Sequence, residues 1–253
     1  MGVKTQISWT SKTWNAVIGC TRVGPGCLNC YAERMAATKF RRFTGGPVWG
    51  RTNPRYVTSA EAWKAPLRWA RKARAAGTKV LVFGNSLYDL CEDHPQVDAI
   101  RPRIWELVDK TRDALTWQFL TKRPERLADC LPQTWGRGWT GVWLGTSIET
   151  AAYASRADHL RPINAEVRFL SVEPALGPVA DAVDLTGIDW CIWGGESGPG
   201  WRPADPQWAR ELLAACQRSG TAFFYKQSAA GRAGMQATLD GAEWKEFPVP
   251  RPL

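Results

Sequence analysis

Trp117-Gln118-Phe119-Leu120-Thr121-Lys122-Arg123-Pro124-Glu125 is a short apolar and aromatic run that passes directly into a polar cluster. The same order recurs along the chain. Val80-Leu81-Val82-Phe83 is followed by Gly84-Asn85-Ser86 with Asp89, the run at 142–144 by Gly145-Thr146-Ser147-Ile148-Glu149, and the run at 167–170 by Ser171-Val172-Glu173-Pro174. The run at 190–193 leads into Gly194-Gly195-Glu196-Ser197-Gly198, and that at 222–225 into Lys226-Gln227. Runs of this length suit buried strands, and separations of roughly 20 to 40 residues leave room for a crossover helix between parallel neighbours.

Six such units, with an early strand near residues 6–9 or beside the cysteine loop, give six or seven strands, short of the eight of a closed barrel. The expected fold is therefore α/β, a partial (β/α)6 TIM-like barrel, with a doubly wound open sheet as the alternative. One domain is expected over 1–253. Within it, residues 1–78 form a cysteine loop and basic helical segment, 79–228 the strand and helix repeats, and 229–253 a C-terminal tail that ends extended. A helix is expected over 31–40, and another from a Ser59 cap to Ala76, where Gly77 stops it. The polar clusters all follow strands. In parallel α/β folds that edge carries the ligand site, because the loops there converge on one mouth.

Composition narrows the class. The chain has 253 residues, 44% hydrophobic, with a formal charge of +9, which excludes a disordered, collagen-like or disulfide-dense chain. No run of 18 apolar residues is present, and the polar opening at 1–10 lacks the apolar core of a signal peptide. A cytoplasmic protein that does not span a membrane is expected. Residues 1–80 hold 15 basic and 2 acidic side chains, a net +13, while 81–253 net −4. An excess confined to one segment points to a polyanionic partner, nucleic acid first, with Arg41, Arg42, Arg51 and Arg55 as candidate contacts.

Seven cysteines without an export signal do not suggest a disulfide framework. Cys20, Cys27 and Cys30 lie within eleven positions, and Cys91, Cys130, Cys191 and Cys216 are scattered, as small buried hydrophobes would be. Three close thiolates can hold zinc or an iron-sulfur cluster. A structural zinc site needs a fourth ligand, for which the chain offers His94, His159 or an isolated cysteine, and His94 beside Pro95 reads as a surface loop residue. The His-x-Glu triplet of zinc deaminases is missing. Three cysteines on a 4Fe-4S cluster would leave one iron to a substrate or cofactor. Most of the 15 tryptophans read as core, Trp143, Trp190 and Trp193 lying within expected strands, while Trp9, Trp14 and Trp49 sit in the basic part and could stack on bases.

The segment from Trp14 through Gly19-Cys20 to Cys27-Leu28-Asn29-Cys30-Tyr31-Ala32-Glu33, with the motifs at 120–125, 171–174, 194–200 and 224–227, resembles the phage-associated three-Cys-motif family, which is similar to radical SAM enzymes. The resemblance spans nearly the whole chain. It implies a barrel of the radical SAM type, a 4Fe-4S cluster on Cys20, Cys27 and Cys30, and S-adenosylmethionine (SAM) on the fourth iron through its amino and carboxylate groups. It further implies an external electron donor, reductive cleavage of SAM to a 5′-deoxyadenosyl radical and abstraction of a substrate hydrogen. The spacing departs from the common pattern: Cys20-x6-Cys27-x2-Cys30 replaces Cys-x3-Cys-x2-Cys, and Gly194-Gly195-Glu196 follows a late strand rather than the second.

Roles within such a site follow from chemistry. Asn85 and Ser86 occupy the place of an amino-binding segment, with Asp89 beside them, and Lys122 suits the SAM carboxylate. Ser147, Glu149 and Glu173 suit ribose hydroxyls or polar substrate groups, and Glu196 and Lys226 are further substrate candidates. The expected substrate is a nucleic acid base or nucleotide, in phage DNA base modification or lesion chemistry. The rivals are a zinc-stabilised nucleic-acid-binding protein on a degenerate barrel, and a radical SAM enzyme with a peptide or small-molecule substrate.

Overall fold

A computed structural model describes residues 5–253. The six strand runs of the sequence are all strands: β4 (Val80–Phe83), β5 (Leu115–Thr121), β6 (Val142–Ser147), β7 (Val167–Val172), β8 (Trp190–Gly194) and β9 (Ala222–Gln227). The early strand is a two-residue piece, β1 (Lys12–Thr13), rather than the 6–9 stretch. These seven pair in parallel in the order β1-β4-β5-β6-β7-β8-β9. A doubly wound sheet would reverse direction at a switch point. Here the order follows the chain throughout, which is barrel connectivity.

The sheet is curled, and one side chain proves it. β4 and β8 stand four inter-strand spacings apart in the sheet, about 19 Å if it were flat. The indole of Trp9 nevertheless lies 4.7 Å from the ring of Phe83 on β4 and 6.2 Å from that of Trp190 on β8. The concave face thus closes around Trp9 in a half-barrel. Trp143, Phe169, Ile192 and Phe224 fill the same inner core. The second, larger core lies on the convex face, where Trp117, Phe119, Leu144, Leu170, Cys191 and Phe223 meet the helices.

The remaining strands, β2 (Val17–Ile18) and β3 (Tyr56–Val57), form an antiparallel ladder beside the cysteine loop. The helices are α1 (Tyr31–Ala37), α2 (Arg41–Thr44), α3 (Ala60–Ala76), α4 (Pro95–Asp109), α5 (Leu127–Cys130), α6 (Arg156–Leu160) and α7 (Pro206–Ser219). The expected helix over 31–40 is interrupted, resuming as α2. The helix after Ser59 forms as its caps dictate: the Ser59 hydroxyl accepts from Ala62 N at 3.4 Å, and Gly77 takes φ +62° to end it. His94 is not a surface residue. It is 8% exposed and caps α4, its ring accepting from Gln96 N.

The C-terminal tail covers an edge. Tyr225 N donates to Trp244 O at 2.8 Å and Glu246 N to Phe223 O at 3.2 Å, so the segment runs antiparallel along β9. Phe247 then packs on Trp190, with ring centroids 5.2 Å apart. Among the described residues no helix is long and apolar enough to cross a membrane.

Candidate active site at the mouth of the half-barrel

Strand side chains alternate between faces, so each inward residue fixes the face of the residue two further on. Phe83, Leu120, Trp143, Phe169, Ile192 and Phe224 lean into the half-barrel. Continued past the strand ends, the same alternation carries Asn85, Lys122, Ser147, Glu149, Glu173, Glu196 and Lys226 to the inner face. The registers agree, pairing Leu120 with Gly145 and Ser147 with Ser171 across neighbouring strands. An aromatic floor therefore supports a polar ring, which is why the strand-end clusters of the sequence converge.

Above the floor is a cavity with about 1100 Å³ of empty space, part of it open to solvent. Cys20, Cys27 and Cys30 all line it, together with Asn85, Ser86, Asp89, Lys122, Ser147, Glu173, Glu196 and Lys226. None of the three thiols is in a disulfide. Among the described residues they are not drawn into a tight metal-binding group with each other or with carboxylates or histidines. Burial, followed by the charges of Asp89 and Glu92, holds the Cys20 thiol well above its ordinary value, against the pull of Arg123. Burial also raises Cys30, although the amides of Glu33 and Ala32 point at its sulfur and favour the thiolate. Both thiolates gain if a cationic group joins them.

The charged residues around the cavity are paired. Lys226 Nζ contacts Glu173, and Lys122 Nζ contacts Glu149, which also accepts from Arg156 Nη1 at 2.9 Å. Asp89 accepts from Thr121 Oγ1 at 2.7 Å, Lys122 N at 3.0 Å and Arg123 Nη1 at 2.8 Å. Glu196 accepts from Arg202 Nε and Nη2 at 2.9 and 2.6 Å. Such pairing is what lets carboxylates sit within a protein wall at tolerable cost. Hydrogen-bonding capacity is left over at the floor, where the Trp9 indole N–H is buried without a partner among the described residues.

Several sequence-predicted residues stand elsewhere or act differently. Glu149 lies behind the cysteine loop, with Gly26 pressed so close that a Cβ there would fall 2.5 Å from Oε1. The Asn85 amide is spent on Leu120, donating to its carbonyl at 2.6 Å and accepting from its N–H at 3.0 Å, so it ties β4 to β5. Ser86 accepts from Asn15 through its hydroxyl and from the Tyr31 hydroxyl through its carbonyl. Arg55 is no surface contact: it is 2% exposed, and its guanidinium is consumed by Glu92, Val48 O, Asn53 O, Thr21 Oγ1 and Gly50 O. Arg41, Arg42 and Arg51 remain exposed. Trp14 is buried away from the cavity; Trp9 lines the cavity floor but is 2% exposed, its ring packed against Phe83, and Trp49 lines the cavity as well.

The sequence suggested no role for Arg123, Asn29 or Ser171, and for Trp9 it suggested base stacking rather than the floor position that it holds. The signal for Ser171 was its place two residues before Glu173. For Asn29 it was the position between two cysteines. Arg123 hid among ordinary strand-end cations.

A family described as "Protein of unknown function (DUF5131)" matches residues 4–248. The chain belongs to the DUF5131 family. No curated protein and no solved structure matches this DUF5131 chain. Its matched span takes in the cysteine loop, all seven strands of the half-barrel and the segment that covers β9, so cavity and family coincide.

Proposed function

We propose that this DUF5131 protein is a radical SAM enzyme that acts on a nucleic acid base or nucleotide, in phage DNA base modification or lesion chemistry. The supporting observation is the convergence of Cys20, Cys27 and Cys30 with Lys122, Glu173 and Lys226 on one cavity at the carboxyl ends of parallel strands. The residues fit the cofactor. Three reduced thiols suit a 4Fe-4S cluster with one iron left open, and among the described residues no histidine or fourth cysteine lines the cavity to complete a closed zinc site. When bound, cluster and SAM supply a hydrogen-abstracting carbon radical after one-electron reduction by an external donor.

The protein's own residues bind, orient and exclude water. The methionyl group of SAM carries both an ammonium and a carboxylate, and the Lys226–Glu173 pair presents one complement to each. Lys122, 23% exposed at the cavity wall, offers a second cation. Ser147 and Ser171, side by side on neighbouring strands, suit ribose hydroxyls. Beneath them the aromatic floor closes the site to water from below. Exposed Arg41, Arg42 and Arg51 and the cavity-lining Arg22 supply the cationic approach for a polyanion. A base in a duplex would have to be extruded to reach the cavity.

Anaerobic reconstitution with iron and sulfide tests the proposal. Iron-sulfur charge-transfer absorbance and dithionite-dependent SAM cleavage are expected, followed by an altered nucleoside in mass spectra of host and phage nucleic acid. About one zinc and no iron in anaerobically purified protein would overturn it in favour of a zinc-stabilised nucleic-acid binder. SAM cleavage without any salt-dependent nucleic-acid binding would redirect the substrate to a peptide or small molecule.

A further inference from the structure

The Gly194–Gly200 motif follows a late strand, and its partners explain why. Glu196 is 4% exposed, and its carboxylate accepts from Asn29 Nδ2 at 2.9 Å as well as from the Arg202 side chain and backbone. Asn29 stands between Cys27 and Cys30, and it also donates to Gly200 O at 2.7 Å. Arg202 reaches on to Pro25 O at 3.0 Å, on the other side of Cys27. Arg34, in the helix that begins after Cys30, donates to Pro199 O at 2.9 Å.

The glycines match these contacts. A Cβ on Gly195 would fall 2.1 Å from Ala229 N, in the segment after β9. One on Gly198, at φ +99°, would meet the Arg34 guanidinium at 2.4 Å. Gly200 takes φ +77° beside Asn29. Close backbone approach at Gly195, and positive φ at Gly198 and Gly200, each disfavour a side chain there.

We propose that the Gly194–Gly200 segment is a socket for the cysteine loop, and that Glu196 is the positioning residue for Cys27 and Cys30. The inference rests on the reading of those cysteines as cluster ligands. Cys20 is held separately, since Arg55 binds Thr21 Oγ1 at 2.9 Å and Arg123 Nη2 binds Thr21 O at 2.8 Å. Two arginine-centred networks therefore grip the loop at opposite ends. Release of one should free its own cysteines and leave the other in place.

The test is alkylation of the metal-free full-length protein by iodoacetamide, followed residue by residue in peptide mass spectra. Glu196→Ala and Asn29→Ala should each speed labelling of Cys27 and Cys30 by about tenfold, with Cys20 unchanged. Glu196→Gln, which keeps an acceptor for Asn29, should fall between. Cys191 and Cys216 are buried and report the integrity of the fold. Should Glu196→Ala expose them, Asn29→Ala, which removes a half-buried side chain outside the barrel core, decides the matter. Rates at Cys27 and Cys30 within roughly twofold of the parent in a folded variant, or an equal rise at Cys20, would overturn the proposal. Because the measurement is made without metal, it is independent of the cluster reading, which fails separately if the parent protein takes up no iron and sulfide.

Discussion

Arg55 and Glu92 form a buried ion pair: guanidinium Nη2 lies 2.7 Å from carboxylate Oε1, with side-chain exposures of 0% and 1%. The pair joins the segment after the cysteine loop to the loop after β4, and through Thr21 it holds the chain next to Cys20. Removing Arg55 would leave the buried Glu92 carboxylate only the more distant Arg123 guanidinium, 3.9 Å away. Arg55→Ala should therefore destabilise the protein by about 3–5 kcal/mol, and Arg55→Lys should recover only part, because a point charge cannot replace the planar fork. Urea denaturation measures both.

Arg41, Arg42 and Arg51 behave differently, being exposed. Converting all three to Gln should leave thermal stability unchanged within about 0.5 kcal/mol. If they neutralise phosphates, the slope of log Kobs against log salt for duplex DNA should flatten by about 0.9 for each phosphate that loses its arginine. Fluorescence anisotropy across a salt series reads the slope. An unchanged slope would remove this face from the nucleic-acid surface.

Trp9 separates packing from recognition. Its ring fills the floor between Phe83 and Trp190, so Trp9→Ala should cost about 3–5 kcal/mol. Its N–H has no partner among the described residues. Trp9→Phe should hence cost less than about 1.5 kcal/mol. Calorimetric titration with SAM then tells whether the N–H serves a ligand: weaker binding in Trp9→Phe at nearly unchanged stability would assign it that part, and unchanged binding would leave it a floor residue only.

Glu196 gives the pH dependence. Burial pushes its carboxyl up, but the hydrogen bonds from Arg202 and Asn29 outweigh this and hold it below its ordinary value of 4.5. A carboxyl depressed on folding stabilises the native state above its unfolded value, and that contribution fades as pH falls through the folded value. The stability gap between the parent protein and Glu196→Gln should thus be constant above about pH 5.5 and shrink below about pH 4.5. Because the Arg202 side chain is 29% exposed, the plateau should be about 1–2 kcal/mol. A gap that grows on acidification would contradict the pairing.

The half-barrel was legible because each strand is a compact apolar run that ends in polar residues, as in Leu120-Thr121-Lys122. Period-two alternation then carries Lys122, Glu173 and Lys226 inward, so convergence on one mouth could be read without coordinates. The short β1 could not be read, since Lys12 and Thr13 have no apolar signature and pair only because β4 offers its edge. Nor could the partners of the charges. Arg55 looks like Arg51 in a sequence, and only the distant Glu92 makes one a core residue and the other a surface one. The part proposed for Glu196 was equally hidden, because its partner Asn29 lies far away along the chain, as does Pro25, which accepts from Arg202.

An incomplete barrel has two bare margins, and exposed margins invite foreign strands. Residues 244–246 lie along β9, and Phe247 anchors them by packing on Trp190. The seventh strand thereby has a neighbour drawn from the same chain, and its pairing groups are already spoken for when another molecule arrives. What looks in the sequence like a loose proline-rich end thus extends the wall by one short antiparallel stretch on its β9 side, and the sheet stops there, short of closure.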